Sequence, residues 1–171
     1  MYLDPQTIDK SILYQGDIID NFPFYFLHSG QSIKQTRIGR FELGKYNSRS
    51  NKRLLAIPTL NQSVMILSQT CDLQRRDNVI VCPINNLQEN IDNKVIKAGT
   101  AKDLREKRLY YWFYLPAYMT LLESFADLQT MVYIPRAEIE KYKSKVSIRL
   151  SERGRHRLSW ALASYFGRPA E

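Results

Sequence analysis

Two short apolar runs, Val64–Leu67 and Val79–Ile84, stand on either side of a polar stretch that holds Ser68, Gln69, Thr70, Cys71 and Asp72. Runs of β-branched and aliphatic residues bounded by turn-formers read as strands, and two of them around one turn read as a hairpin. Because both runs are continuously apolar, the hairpin is expected to be buried. A turn centred near Leu73 and Gln74 sets Cys71 opposite Arg76 and Gln62 opposite Asn85. In that register Cys71 and Cys82 lie at different levels and do not bond.

The flanking sequence adds short strands and one long helix. Gln15, Gly16 and Asp17 form a turn, and Ile18–Leu27 reads as an extended segment broken at Pro23. Residues 29–53 read as a loose basic insertion, rich in Gly, Ser and Asn and ending at Arg53. Thr100–Lys107 suits a short helix, Tyr110–Leu115 a dense aromatic strand, and Phe125–Ile134 a single strand closed by Pro135. The segment from Ser151 to Gly167 predicts a helix capped by Ser151, with Leu158, Leu162 and Tyr165 on one stripe. Gly154 is expected to weaken its first turn. Many short strands with one terminal helix predict a mainly β fold with some α, a small barrel carrying a C-terminal helix. The 171 residues fit one domain, 1–171.

Charge narrows the partners. The net charge of +8 and an isoelectric point near 9.5 bias the chain toward polyanions, either nucleic acid or an acidic partner protein. The first residues carry neither a basic nor an apolar signal region, so no secretory leader is expected. Leu109–Leu122 is the longest apolar-rich run; it is interrupted by Pro116 and falls short of the ~18 residues a spanning helix needs. No membrane association is expected. Two cysteines without a CxxC spacing fit a reducing cytoplasm better than a disulfide framework. His28 and His156 lack ligand spacing, so neither metal nor cofactor is expected.

Several groups are candidates for function. Lys141, Lys143 and Lys145 alternate and would share one face of a strand. With Arg149, Arg153, Arg155 and Arg157 they make the strongest polyanion-binding candidate, and Arg75 and Arg76 on the hairpin turn suit phosphate contacts. Cys71, with Asp72 beside it, could act as a nucleophile. The structural alternative is that Thr70 and Asp72 hydrogen-bond to turn amides while Cys71 packs as a small apolar residue. Tyr110–Tyr114 could stack bases, but aromatic strands more often fill a core, and alternation lets each face do one job.

The order of these elements resembles the PemK/MazF-like family of small prokaryotic toxins. Gly16-Asp17-Ile18 is similar to the family's opening strand, Val64–Ser68 and Val79–Ile84 to its central strands, Asp127 with Thr130 and Met131 to a later strand, and Ser151–Gly167 to its final helix. The resemblance implies an SH3-like β-barrel, a homodimer, and metal-independent cleavage of RNA in a toxin or defence setting. It implies Asp127 as the base; the family's cation is missing, and a substitute for the phosphate would come from the loop, where Arg53 is nearest in sequence. The chain departs from the family where an Arg and a Thr are usual, at Gln62-Ser63 and Asn85, and it carries Phe125 where one branch has an Arg. RNA cleavage through its own 2′-OH needs a base, an acid and a cation over the phosphate. A non-catalytic module holding nucleic acid or a protein is therefore the alternative, and a cysteine-dependent enzyme centred on Cys71 is a third.

Overall fold

The computed structural model describes residues 1–25 and 59–167; the basic insertion predicted at 29–53, with Arg53, and His28 lie outside them. Strands β2 (Thr59–Ile66) and β3 (Asn78–Asn86) run antiparallel in the register expected from the sequence. Val64 faces Pro83, Met65 faces Cys82 and Ile66 faces Val81. Cys82 is buried, Cys71 is exposed, and both are free thiols. The continuous apolar runs have a simple cause: both faces of this hairpin are covered. Val64, Ile66, Val79 and Val81 enter one core, while Met65, Leu67, Cys82 and Ile84 enter a second core on the opposite face.

Strand β1 (Asp17–Tyr25) pairs with β2 on one side and with β7 (Val146–Arg149) on the other. Ile19 faces Val64 and Phe22 faces Gln62, so β1 carries one extra residue in a bulge. Asn21 absorbs it with φ 53°, a left-handed conformation that Asn tolerates. The irregularity predicted at Pro23 therefore falls two residues earlier, and Pro23 itself stays in register opposite Asn61. Gly16 enters β1 with φ 82°; a Cβ there would stand 2.7 Å from Leu150 Cδ1, so the position is closed to other residues on both counts.

The second half of the chain corrects several sequence expectations. The single strand predicted over Phe125–Ile134 is two: β5 (Ser124–Asp127) and β6 (Val132–Pro135), parted by a 3₁₀ turn at Leu128–Thr130. Both pair with β3 along the same edge. Ala126 faces Ile84 and Val132 faces Val81, six steps against three, which shows the turn as an insertion in one edge. Strand β4 (Trp112–Leu115) pairs with β5, giving the order β4-β5-β3-β2-β1-β7 with β6 beside β3.

Five helices complete the described fold. α1 (Thr70–Leu73) closes the hairpin, so the predicted polar turn is one helical turn. α2 (Leu87–Asp92) and α3 (Ala98–Arg105) cover a small third core of Leu87, Ile96, Ala101, Leu104 and Phe125. α4 (Arg136–Glu140) and a 3₁₀ turn at Lys143–Lys145 occupy the segment whose alternating lysines would have shared a face on a strand. α5 (Glu152–Phe166) is capped by Ser151 as predicted, its hydroxyl accepting from the Gly154 N–H at 3.3 Å. Leu158 is buried in the second core, with Ala161, Leu162 and Tyr165 packed against it. Gly154 serves packing: a Cβ there would meet the Met1 carbonyl oxygen at 2.5 Å. The architecture is mixed α/β rather than mainly β, a curled antiparallel sheet with a C-terminal helix. No helix among the described residues is long and apolar enough to cross a membrane.

Candidate functional site

The predicted basic patch separates into parts with different tasks. Arg149 is the clearest correction. Its side chain is 5% exposed and pairs with Asp17, which is fully buried. Arg149 Nε donates to Asp17 Oδ1 at 2.6 Å and Nη2 to Oδ2 at 2.9 Å. The same guanidinium donates to the carbonyls of Asp9 and Ile12 and lies 4.2 Å from the centre of the Tyr14 ring. Burial is the larger influence on the Asp17 carboxyl and raises it from its ordinary value, while the bonds from Arg149 and the Tyr14 N–H oppose that rise. Arg149 thus ties the first residues to the sheet and cannot reach a polyanion.

Its neighbours are spread over several surfaces. Arg155 donates to the Leu150 carbonyl and lies 5.6 Å from the centre of the Tyr14 ring. Lys141 pairs with Glu138 at 2.6 Å, and Lys145 lies over the Tyr142 ring. Lys143 belongs to the same 3₁₀ turn as Lys145, so the three lysines do not form the strand face expected of them. Arg153 is exposed on the first turn of α5. Arg157, one turn further on, lines a groove.

The hairpin end is held structurally. The Ser68 hydroxyl accepts from the Ile80 N–H at 2.8 Å, and Thr70 Oγ1 accepts from the Gln15 N–H at 3.2 Å. Gln15 also donates to the Leu67 carbonyl and accepts from the Ser159 hydroxyl, joining the hairpin to α5. Thr70 therefore bonds to a neighbouring segment, not to its own turn. Asp72 pairs with Arg76 at 3.4 Å, and Arg75 is exposed. Cys71 does not pack as a small apolar residue: it is exposed, and its thiol lies 3.7 Å from Gln69 Oε1. Among the described residues no titratable base is hydrogen-bonded to it, and His156 pairs with Glu152 on α5.

Asp127 caps the 3₁₀ turn that splits the predicted strand, accepting from the Gln129 N–H at 3.0 Å. Burial raises its carboxyl from the ordinary value; the Gln129 amide and the Thr130 and Trp112 side chains oppose this. Trp112 faces it across the β4–β5 ladder. The indole Nε1 is buried and makes no well-formed hydrogen bond, yet it lies close enough to favour the charged carboxylate. Among the described residues, none of the influences on Asp127 is a cation.

The arrangement that brings chemistry together is a groove of about 560 Å³ between the α3–β4 connection, β4 and α5. Strand β4 contributes Trp112, Phe113 and Tyr114 to its lining. Phe113 and Leu115 are buried in the second core, while Trp112 and Tyr114 point the other way and pack on the third. Trp160 on α5 supplies an indole that is 76% exposed. Arg105, Lys107, Arg108 and Arg157 surround these rings. Arg105 makes two bonds of 2.7 Å to the Glu123 carboxylate, which also accepts from the Tyr114 hydroxyl at 2.6 Å. The Arg105 bonds hold Glu123 far below its usual range, at about 2, and burial with Glu123 pushes Tyr114 up to about 12. Arg108 is shared between Asp103 and Glu106. Lys107 and Arg157 have no ion pair among the described residues. Sequence reasoning placed Arg157 in the basic patch and set the aromatic strand mainly in the core. It passed over Arg105, Lys107, Arg108 and Trp160. The signal was the cluster of cations directly before the aromatic run.

Among the described residues no group of three or more His, Cys, Asp or Glu is placed to hold a metal ion. The fold and groove define a small mixed α/β protein with a curled sheet and one basic, aromatic cleft. No protein-family model matches the chain, and no curated protein matches it.

Proposed function

We propose that this chain is a small SH3-like barrel protein of the PemK/MazF type that binds nucleic acid, RNA in preference, in a prokaryotic toxin or defence setting in the cytoplasm. The observation that carries the reading is the groove in which Trp112, Tyr114 and Trp160 stand among Arg105, Lys107, Arg108 and Arg157. Single-stranded nucleic acid is held by aromatic side chains that stack bases and by cations that follow the backbone. The net charge of +8 draws a polyanion toward the surface, and Arg75 and Arg153 add exposed positive charge outside the groove. Two free thiols agree with a reducing compartment.

Binding without cleavage is the better reading of the two in that setting. Asp127 is committed to capping its turn, and among the described residues, which exclude Arg53, no cation is one of the groups that act on it. Metal-independent ribonuclease activity is the second reading, favoured by one observation: burial raises the Asp127 carboxyl toward the range of a useful general base.

One titration tests both. A labelled single-stranded RNA is followed by fluorescence anisotropy in EDTA across a salt series, and the recovered RNA is run on a gel. Binding should weaken with salt, by about 0.7 in the logarithmic slope for each phosphate engaged. Intact RNA supports the binding module, and cuts lost in Asp127→Ala would establish the ribonuclease. Absence of salt-dependent binding by the folded protein would sink the proposal.

A further inference from the structure

We infer that the groove between β4 and α5 is a pocket for one nucleoside phosphate unit: a single unpaired base with its phosphate. As a description of how nucleic acid is held, this rests on the reading above; the groove geometry also carries it for a free nucleotide. Its volume of about 560 Å³ falls among small-ligand sites, about 300–1,000 Å³, and is too confined for a duplex to enter. Its apolar lining is largely aromatic, with Trp112, Phe113 and Tyr114 from β4 and Trp160 from α5, beside Pro116 and Ala161. Trp160 is 76% exposed, an unusual position for the largest side chain unless something stacks on it.

The charges in the groove are not equivalent. Both Glu123 oxygens receive Arg105, and Arg108 is divided between Asp103 and Glu106, so these two cations are largely neutralised. Arg157 and Lys107 have no ion pair among the described residues and line the same cleft as the indoles. A planar ring plus one anionic group satisfies both halves of this surface. Arginine suits a phosphate because its fork donates two parallel hydrogen bonds, and an indole suits a base because every base has a π-face. Neither a purely apolar ligand nor a simple anion uses both halves.

The chain's two tryptophans both line the groove, so intrinsic fluorescence reports on it directly. AMP, adenosine and inorganic phosphate are titrated separately into the full chain, and AMP is then used to displace a labelled single-stranded RNA. AMP should quench saturably and bind on the order of tenfold tighter than adenosine, the factor expected from one charge-assisted contact. Arg157→Glu should remove that advantage and leave adenosine binding nearly unchanged. Trp160→Ala, followed by calorimetry, should weaken AMP and adenosine alike; its exposure leaves the fold unaffected, which thermal unfolding checks. RNA displaced by AMP would place an unpaired base of the strand in the pocket. AMP binding without RNA binding would identify a free nucleotide as the ligand, supporting the pocket and overturning the nucleic-acid reading. RNA binding that AMP does not displace and Trp160→Ala does not weaken would overturn the pocket and leave the nucleic-acid reading standing. An acidic peptide that quenches where AMP does not would also overturn it.

Discussion

Replacing Arg149 with Met separates structural charge from ligand-binding charge. The guanidinium is 5% exposed, and its partner Asp17 is fully buried. Removing one member of a buried ion pair leaves the other uncompensated, which destabilises by about 3–5 kcal/mol. Two further acceptors, the Asp9 and Ile12 carbonyls, lose a donor. They sit near the surface where water can substitute, so their loss adds about 1 kcal/mol or less. A domain of this size has a total stability of about 5–15 kcal/mol, so the change removes a large fraction of it. At about 2–4 °C per kcal/mol, a loss of about 3–6 kcal/mol lowers the midpoint by roughly 6–24 °C. The assay is urea and thermal unfolding by circular dichroism, beside RNA anisotropy at a temperature where the variant is folded. The double variant Asp17→Leu with Arg149→Met should regain part of the loss, because no charge is left buried. Recovery is incomplete because Asp17 also accepts from the Tyr14 N–H at 2.9 Å. An Arg149→Met protein as stable as the parent but weakened for RNA would refute the reasoning and restore Arg149 to the binding surface.

Glu123 gives a pH dependence with a definite sign. Its carboxyl is held at about 2 in the folded chain against an ordinary value near 4.5, chiefly by Arg105. A depressed carboxyl stabilises above the unfolded value and loses that contribution as pH falls from about 4.5 toward about 2. Glu123→Gln should therefore flatten the acid limb of the unfolding midpoint measured between those values, and an unchanged limb would contradict the Arg105 pair. The thiols should differ sharply. Cys71 is exposed and Cys82 is fully buried, with burial raising its thiol far above the usual range. Ellman titration should show one thiol in the folded protein and two in denaturant, and Cys71→Ser should lose the fast one with a stability change within about 0.5 kcal/mol.

Periodic and local signals were readable from the sequence. The Val64–Leu67 and Val79–Ile84 runs set the hairpin and its register, because a continuous apolar run must be buried on both faces. Ser151 and the Leu158, Leu162, Tyr165 stripe set α5 for the same kind of reason. What failed depended on tertiary partners. Phe125–Ile134 read as one strand because its residues are mostly β-formers, but the carboxylate of Asp127 at the end of β5 caps a 3₁₀ turn, and capping outweighed propensity over Leu128–Thr130. The alternation of Lys141, Lys143 and Lys145 suggested a strand face, yet the segment follows α4 into a 3₁₀ turn. Arg149 counted as one more cation in a basic run, and no local pattern announces that it meets Asp17 from the other end of the chain. The groove was half visible. The aromatic run and its alternation were plain, but only the packing of α5 brings Trp160 and Arg157 beside it.

The central claim is that nucleic acid lies in the groove between β4 and α5. Ultraviolet cross-linking of the full chain to a short single-stranded RNA, with the attached peptides identified by mass spectrometry, tests it most directly. The account expects attachment within residues 109–114 and 157–164, abolished by Arg157→Glu. Attachment confined to the surface carrying Lys141, Lys143 and Lys145 or to Arg75 and Arg76, with the groove peptides unmodified, would contradict it.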